Sequence, residues 1–325
     1  FLAWTNLAVH SAPRAGSQEE RTVLVAQLHY LEGRAHAGLG EDMQQLFPEG
    51  SAFTSALYGL AWCGLAQRLE KDDPLLGHAS MEAHWALSQL DRPEEQGRFP
   101  VSAEPKFGVF YCGWRNLLLG SIIELGSADT VELFAFDRNS AALSDAFARS
   151  TSPYLESYVG MAWPADATVA MASLALHQRL RGGAHQQVIE RWVSQVRDRL
   201  DANGSMPHAW DPYHDRSLTD ARGSSQALIN TFLPVINEAL AHEQFGRFQE
   251  AFFMERLGVP AVSEYPKGTF GWGDVDSGPL ILGAGPAATI VGSAACRMNG
   301  DVFHAQEFAA SVHGFGFVTG DERKR

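Results

Sequence analysis

The strongest constraint on the fold is an alternation of helical segments with connections of two lengths. Eleven segments place apolar residues at helical spacing, and segments with the alternating pattern of β-strands are nearly absent. The sequence therefore predicts an all-α domain. The predicted helices cover residues 17–31, 51–69, 75–90, 114–125, 131–148, 164–180, 185–200, 224–240, 245–257, 279–295 and 303–312.

The connections between these helices are alternately long and short. The five long ones lie around residues 36–50, 94–110, 150–163, 203–220 and 258–275. The short ones lie near residues 70–74, 126–130, 181–184, 241–244 and 296–302. Long loops without secondary structure in a compact domain are usually functional. Because the long loops occupy alternate positions, we expect all five at one face of the domain.

The composition of each helix depends on the connection that precedes it. Helices after long loops are rich in small and apolar residues, as in residues 56–62, 169–176 and 280–295, and such helices belong in the interior. The helices between them carry a charged face, as in residues 190–198. The sequence thus predicts an inner ring of buried helices inside an outer ring, an (α/α) toroid. Residues 1–10 are expected to supply the inner helix of a sixth hairpin.

This order of helices resembles the six-hairpin (α/α)6 toroid superfamily, which includes glycoside hydrolases, polysaccharide lyases, sugar epimerases and some terpenoid-processing enzymes. The resemblance covers nearly the whole chain, but it is one of architecture and includes no catalytic signature. It implies one toroid domain over residues 1–325, with an active-site funnel formed by the long loops before the inner helices. Because a fold does not fix a function, the candidate site depends on the residues that the loops carry.

Charge and motifs exclude several classes of function. The net charge is −13, from 25 basic and 38 acidic residues, and no basic stretch is long enough to follow a phosphate backbone. Nucleic acids and anionic membrane surfaces are therefore not expected as partners. Cys63, Cys112 and Cys296 are far apart and form neither a metal-binding pair nor a disulfide framework. Nucleotide-binding glycine motifs and HExxH are missing, so we expect no cofactor and no bound metal.

The first residues of the chain are apolar and do not include an initiating Met. Residues 1–9 read FLAWTNLAV, and no apolar run in the chain reaches the roughly 18–20 residues of a membrane span. A simple boundary and the end of a membrane anchor both fit this pattern. A membrane tether or an export segment upstream of residue 1 is therefore one of the interpretations. The sequence predicts neither the compartment nor the oligomeric state.

The most informative long loop covers residues 264–279 and reads EYPKGTFGWGDVDSGP. We predict Asp276 as a catalytic carboxyl and Asp274 as its reserve, with Trp272 stacking on a substrate ring. The alternative is that these polar residues only cap a helix whose first turn contains Pro279. An Asp-x-Asp pair that binds a divalent ion is a third interpretation.

A second loop, residues 154–166, also ends at the start of an inner helix. Pro164 is predicted at the first helical position, which places Asp166 in the first turn. Asp166 is either a carboxylate favoured by the helix dipole or a catalytic carboxyl that faces Asp276 at the funnel floor. Tyr158 and Trp163 are predicted to line the funnel wall.

A third loop concentrates titratable and aromatic residues between positions 203 and 225. His208 or His214 is a candidate proton-transfer group, although His214 also fits a surface turn. Trp210 and Asp211 are predicted to contact substrate, and Asp211 is a further reserve carboxyl. Arg222 is predicted either to pair with a loop aspartate or to bind a substrate carboxylate, and the ion pair is favoured.

The fourth loop, residues 106–116, contributes aromatic side chains. Tyr111 and Trp114 suit the wall of a sugar or terpenoid site. Cys112 stands near the start of an inner helix, but a buried inert thiol is favoured over a nucleophile.

These residues favour a carbohydrate-active enzyme that acts on a small-molecule or oligosaccharide substrate. Glycoside hydrolysis uses two carboxyls that flank the scissile bond, and Asp166 and Asp276 are the predicted pair. One of them needs a raised pKa, which a floor of apolar inner helices would supply.

Two alternatives remain. The same acids and aromatics would serve a lyase, isomerase or cyclase acting on an isoprenoid or another apolar substrate. The triplet Asp274-Val275-Asp276 resembles the Asp-rich acid motif of class II terpene cyclases, although Ser277 stands where such motifs carry a further Asp. A dry apolar floor would favour this alternative. The second alternative is a non-catalytic binding toroid.

Overall fold

A computed structural model describes residues 16–315 of the chain. The structure is 61% helix with few short strands, so the all-α class is confirmed. Thirteen helices occur within the described residues. They are α1 (Gln18–His36), α2 (Leu39–Gln44), α3 (Gly50–Ala66), α4 (Leu75–Leu90), α5 (Pro93–Gln96), α6 (Gly108–Glu124), α7 (Thr130–Arg149), α8 (Pro164–Arg181), α9 (Gln186–Arg197), α10 (Gly223–Ile236), α11 (Glu238–Phe252), α12 (Pro286–Met298) and α13 (Val302–Phe315).

Eleven of these helices correspond to predicted ones, but several boundaries were placed wrongly; α6, for example, begins at residue 108 and not at 114. The predicted break at residues 241–244 lies inside α11, because the chain turns instead at Asn237. Asn237 ends α10 and its side chain accepts a hydrogen bond of 2.9 Å from the Leu240 N–H, which begins α11. The predicted helix 279–295 begins later, at Pro286. The one-turn helices α2 and α5 were not predicted.

Two short β-hairpins interrupt the helical order. Strands β1 (Ala209–Asp211) and β2 (Arg216–Thr219) are antiparallel, as are β3 (Phe253–Arg256) and β4 (Val259–Val262). Strand β3 follows directly from α11, where the sequence predicted a helix to residue 257. Leu257 and Gly258 both have a positive φ, the conformation that suits the two-residue turn between β3 and β4.

The helices that follow the long connections pack on one another in chain order. Helix α3 contacts α6, α6 contacts α8, α8 contacts α10, and α10 contacts α12. Close approach depends on small residues: a Cβ added at Gly113 of α6 would lie 3.0 Å from Ala170 of α8. Each of these helices also contacts the helix that follows it. The large buried side chains between the two sets include Trp62, Trp192, Phe136 and Phe248.

The long connections meet at the amino-terminal ends of these helices. The ring of Phe99 stacks on that of Tyr158 with centroids 6.1 Å apart. The backbones of Ala162 and Trp210 exchange two hydrogen bonds, of 2.8 and 3.1 Å. The Gly223 N–H donates to the carbonyl of Glu264 at 2.8 Å. Four consecutive long loops are therefore held together at one end of the molecule.

None of the helices in residues 16–315 is long and apolar enough to cross a membrane. The predicted helix over residues 1–10 lies outside the described residues.

Candidate functional site

Asp166 is placed by the start of α8. Pro164 occupies the first helical position after Trp163, so Asp166 lies in the first turn, as the sequence predicts. Its side chain is buried, and Ser157 Oγ donates a hydrogen bond of 2.5 Å to Asp166 Oδ2. Burial raises the pKa of Asp166 to about 7, and the charges of Glu49 and Asp276 contribute while the Ser157 bond opposes.

Two further carboxyls lie close enough to act on Asp166 electrostatically. Glu49 is the N-cap residue of α3, and Asp276 lies in the loop before α12. Burial raises the pKa of Glu49, and the charge of Asp276 raises it further. Partial burial and the charge of Asp274 raise the pKa of Asp276. We call Glu49, Asp166 and Asp276 the acidic cluster.

Tyr158 borders the acidic cluster. Burial and the charge of Glu49 raise the pKa of the Tyr158 hydroxyl, so it stays protonated and serves as a hydrogen-bond donor. Its ring lies edge-on to Trp163, with centroids 6.2 Å apart. Both side chains are partly accessible. The structure thus brings these two predicted wall residues next to Asp166.

His208 connects the acidic cluster to α10. The imidazole is buried, its Nδ1 is hydrogen-bonded to the hydroxyl of Ser225, and its Nε2 lies 3.6 Å from Asp276 Oδ2. Burial and the nearby positive charge of Arg222 lower the pKa of His208 to about 4. The ring is therefore neutral at physiological pH and offers one donor and one acceptor.

Arg222 forms an ion pair with two loop carboxylates. Its Nε donates to Glu264 Oε1 at 2.8 Å, and its two terminal nitrogens both donate to Asp274. Hydrogen bonds from Arg222 lower the pKa of Asp274 to about 2. Asp274 is thus an ionised partner of Arg222, and it accepts the N–H of Asp276 at 3.0 Å, which orients the loop that carries Asp276.

The loop before α12 differs from the prediction. Pro279 does not lie in the first helical turn, because the chain takes positive φ angles at Leu282 (53°) and Gly283 (88°) before the helix begins at Pro286. Asp274 and Asp276 therefore lie in a turn and do not cap the helix. Trp272 is 92% exposed, on the same loop.

Polar residues of the β1–β2 hairpin form hydrogen bonds with one another. His214 Nδ1 lies 2.7 Å from Asp211 Oδ2, and Asp211 also accepts the backbone N–H of Tyr213 and of His214. His214 therefore belongs to a surface turn, one of the two interpretations of its sequence. Trp210 is buried, with its ring edge-on to Tyr154 at 5.2 Å. The structure does not bring His214, Asp211 and Trp210 to the acidic cluster.

Tyr111 and Trp114 are buried in the core. The Tyr111 hydroxyl donates to the carbonyl of Leu90 at 2.8 Å. Burial raises the pKa of the Cys112 thiol to about 12, so Cys112 is no nucleophile at neutral pH. The Trp114 ring contacts Phe53 at 5.1 Å and Phe232 at 5.8 Å, centroid to centroid.

An aromatic layer follows the acidic cluster along the helices. Phe53 lies four residues after Glu49 on α3, so the two side chains share one face of the helix. Phe53 also contacts Phe110 at 6.0 Å. We call Phe53, Phe110, Trp114 and Phe232 the aromatic layer. Its members contribute no charged group, and the indole N–H of Trp114 is buried without a hydrogen-bond partner.

Glu49, Ser157 and Glu264 also belong to the site and were not predicted from the sequence. The loop of Glu49 has an ordinary composition, and the usable signal was its position directly before an apolar helix, as for Asp166. Ser157 and Glu264 have no such signal, because their roles depend on contacts with Asp166 and Arg222 from distant parts of the chain.

The arrangement combines one carboxyl that is protonated near neutral pH with two others and a neutral imidazole. The positive charge of Arg222 acts on Asp276, but Arg222 is already paired with two carboxylates. Excess negative charge favours a reaction that develops positive charge over one that develops an anion. No protein-family model matches the chain, and no curated protein matches it.

Proposed function

We propose that the protein is an acid–base enzyme that breaks a carbon–oxygen bond at the acidic cluster, with glycoside hydrolysis as the first candidate. The observation that carries this proposal is the buried Asp166, whose pKa of about 7 lets it donate a proton beside two other carboxyls. Carbohydrate substrates suit the partly accessible rings of Tyr158 and Trp163 next to it.

The proposed architecture is an (α/α)6 toroid, formed as a single domain. The contacts of α3, α6, α8, α10 and α12 in chain order support an inner ring. Arg297 at the end of α12 lies 3.4 Å from Glu20 at the start of α1, so the last part of the described chain meets the first. In this arrangement the acidic cluster lies where the amino-terminal ends of the inner helices converge.

In the hydrolytic mechanism, Asp166 donates its proton to the glycosidic oxygen as the C–O bond breaks. The bonding electron pair leaves with that oxygen, and the sugar carbon takes on oxocarbenium character. Asp276 then attacks the carbon or accepts a proton from the attacking water, depending on the separation of the two carboxyls. His208 positions Asp276, and the charge of Glu49 stabilises the developing cation.

The aromatic layer favours a second candidate, a lyase or isomerase acting on a hydroxylated isoprenoid. Here Asp166 protonates the hydroxyl, and water leaves with the C–O electron pair. Asp276 or Glu49 then removes a proton from the adjacent carbon to form the alkene. The ring of Phe53, which is partly accessible, would stabilise the intermediate carbocation through a cation–π interaction. This candidate uses the same acid and differs in the substrate.

A ligand screen by thermal shift tests both candidates. Oligosaccharides and isoprenoid alcohols are added separately to the wild-type protein and to Asp276→Asn. A ligand that binds the native state raises the Tm by mass action. The first candidate requires a shift with sugars that changes in Asp276→Asn, and the second requires it with isoprenoids. Hits are followed by product analysis with Asp166→Asn, which should lower kcat by about 10²–10⁴-fold.

Three results would count against this proposal. A shift that is identical in Asp276→Asn places the ligand elsewhere. Full activity in Asp166→Asn removes the proposed acid. Binding of a ligand without turnover of any candidate substrate supports the remaining alternative, a non-catalytic binding toroid.

A further inference from the structure

Helices α1 and α4 bring two imidazoles and a carboxylate to one point. His29 Nδ1 lies 2.9 Å from Glu32 Oε2, and His78 Nε2 lies 3.0 Å from the same oxygen. The three possible ligand atoms lie within 4.8 Å of one another. His29 and Glu32 are three residues apart on α1, so they share a face, while His78 comes from α4.

These distances suit a first-row transition metal. Tetrahedral zinc with bonds of about 2.0–2.1 Å holds neighbouring ligand atoms about 3.3 Å apart. The two nitrogens need to move only a few tenths of an ångström away from Glu32 Oε2 to make room for the ion. They also need to approach each other, because ligand atoms up to 4.8 Å apart have to come to about 3.3 Å. Two imidazoles with one carboxylate are ligands that zinc uses in proteins, with water completing the shell.

The rings are also held in place and accessible. The ring of Trp62, fully buried on α3, lies edge-on to His29 at 5.6 Å and to His78 at 5.1 Å. The side chains of Glu32 and His78 keep 24% and 28% of their exposure, which leaves a route for an ion from solvent.

Helix α1 packs lightly against the rest of the molecule. Of its 19 residues only Leu28 is buried, and Val25 and Ala35 pack partly against the core, so hydrophobic burial holds it less firmly than the inner helices. A second contact with α4 also uses a histidine: His36 Nε2 lies 2.8 Å from Glu82 Oε2, and its ring lies 4.1 Å from that of Trp85. A metal ion shared between α1 and α4 would add to these contacts.

We propose that His29, Glu32 and His78 form a zinc-binding site that fastens α1 to α4. None of the three belongs to the acidic cluster, so this site is structural and independent of the proposed catalysis. It departs from the expectation that the protein binds no metal.

Zinc titration of the chelator-treated full chain tests the site. The wild-type protein and His78→Gln are titrated with Zn²⁺ by calorimetry, and bound zinc is counted after dialysis. Glutamine keeps a donor for Glu32 but is a poor zinc ligand, so the contact between the helices is retained. We expect His78→Gln to lose one equivalent, or to bind it at least about tenfold more weakly. His84→Gln is the matched control, because His84 is bonded to Ser80 and lies outside the cluster.

Equal stoichiometry and affinity in wild type and His78→Gln would overturn the proposal, as would a wild-type protein that binds no zinc. A second measurement uses the wild-type chain alone. Zinc should protect His29 and His78 from acylation by diethylpyrocarbonate, read by mass spectrometry, and should leave His84 reactive. Equal modification of His78 with and without zinc would also overturn it, so the test does not depend on the folding of a variant.

Discussion

Ser157 Oγ donates a hydrogen bond of 2.5 Å to Asp166 Oδ2, and both side chains are buried at the start of α8. The bond favours the ionised carboxylate, whereas burial favours the neutral acid. Burial is the larger effect and raises the pKa of Asp166 to about 7. Near neutral pH both protonation states are populated, which is the condition for a general acid that must be reprotonated in each cycle.

Asp166 should make the protein less stable as the pH rises. The unfolded carboxyl loses its proton near its ordinary pKa of 3.8, while the folded one keeps it to about 7. Between these values the folded state binds more protons, so the free energy of unfolding falls with increasing pH and levels off above 7. The full effect is about 4 kcal/mol. Asp166→Asn should remove it, as measured by urea unfolding at pH 5 and pH 8.

Ser157→Ala is the matched control for this effect. It removes the hydrogen bond that favours the ionised carboxylate, so the folded pKa should rise further and the loss of stability should extend to higher pH and become larger. Identical pH dependence of unfolding in wild type and Asp166→Asn would show that Asp166 is ionised in the folded protein, against this prediction.

His208 should have the opposite dependence in an overlapping pH range. Its folded pKa of about 4 lies below the ordinary value of 6.5, so the unfolded state binds more protons between the two. Stability should therefore be lost as the pH falls from 6.5 toward 4. His208→Gln keeps a partner for Ser225 and should remove this loss. The imidazole C–H resonances of His208 should not move between pH 8 and pH 5, and a midpoint near 6.5 would contradict the prediction.

The elements that sequence predicted best have local signals. Pro164 marked the start of α8 and thereby placed Asp166, because a proline at the first position sacrifices no helical hydrogen bond. Pro279 predicted a helix start in the same way, and that prediction was wrong. The apolar residues after it look helical, but Leu282 and Gly283 bend the chain away from a helix until Pro286.

The candidate site was only partly predictable for the same reason. Asp276 is marked by its glycine-rich loop, and Asp166 by its helix start. The bidentate bond between Arg222 and Asp274 joins residues 52 positions apart, so its geometry depends on packing that no local pattern contains. Trp114 was predicted to line the site but is buried in the core. The sequence pattern of an aromatic residue near a loop is the same in both cases.

Gly223 should be intolerant of any side chain. A Cβ at this position would lie 1.9 Å from the carbonyl oxygen of Ser263, which holds the loop of Glu264 against α10. Gly223→Ala should therefore destabilise the protein by about 1–3 kcal/mol through overpacking. Gly246 lies at an exposed position of α11, and a Cβ added there would have no atom within 4 Å. Gly246→Ala should therefore stabilise the protein by about 0.5–1 kcal/mol through helix propensity. Equal effects in urea unfolding would refute the close approach.

Arg222 should contribute more to stability than an exposed arginine with a similar bond. The side chains of Arg222 and Glu264 are 6% and 0% exposed, so Arg222→Met leaves a buried carboxylate without its cation and should cost about 3–5 kcal/mol. Adding Glu264→Gln should recover part of this loss. Arg149→Met removes a pair whose side chains are 63% and 62% exposed, and should cost less than about 1 kcal/mol. Thermal and urea unfolding compare the three variants.

Substitution of Trp272 should affect substrate binding and leave the stability of the protein unchanged. Its side chain is 92% exposed and only its carbonyl is bonded, to the Tyr265 hydroxyl at 2.9 Å, so Trp272→Ala should change the free energy of unfolding by less than about 0.5 kcal/mol. If the ring stacks on a substrate held at Asp276, the variant should raise KM about tenfold and leave kcat unchanged, the signature of lost uniform binding.

Phe303→Ala is the control for Trp272, since Phe303 is 67% exposed on α13, away from the loops of the acidic cluster. It should change neither KM nor kcat. An unchanged KM in Trp272→Ala would remove this ring from the substrate site. The aromatic contacts of a substrate would then come from the partly accessible rings of Tyr158 and Trp163 beside Asp166.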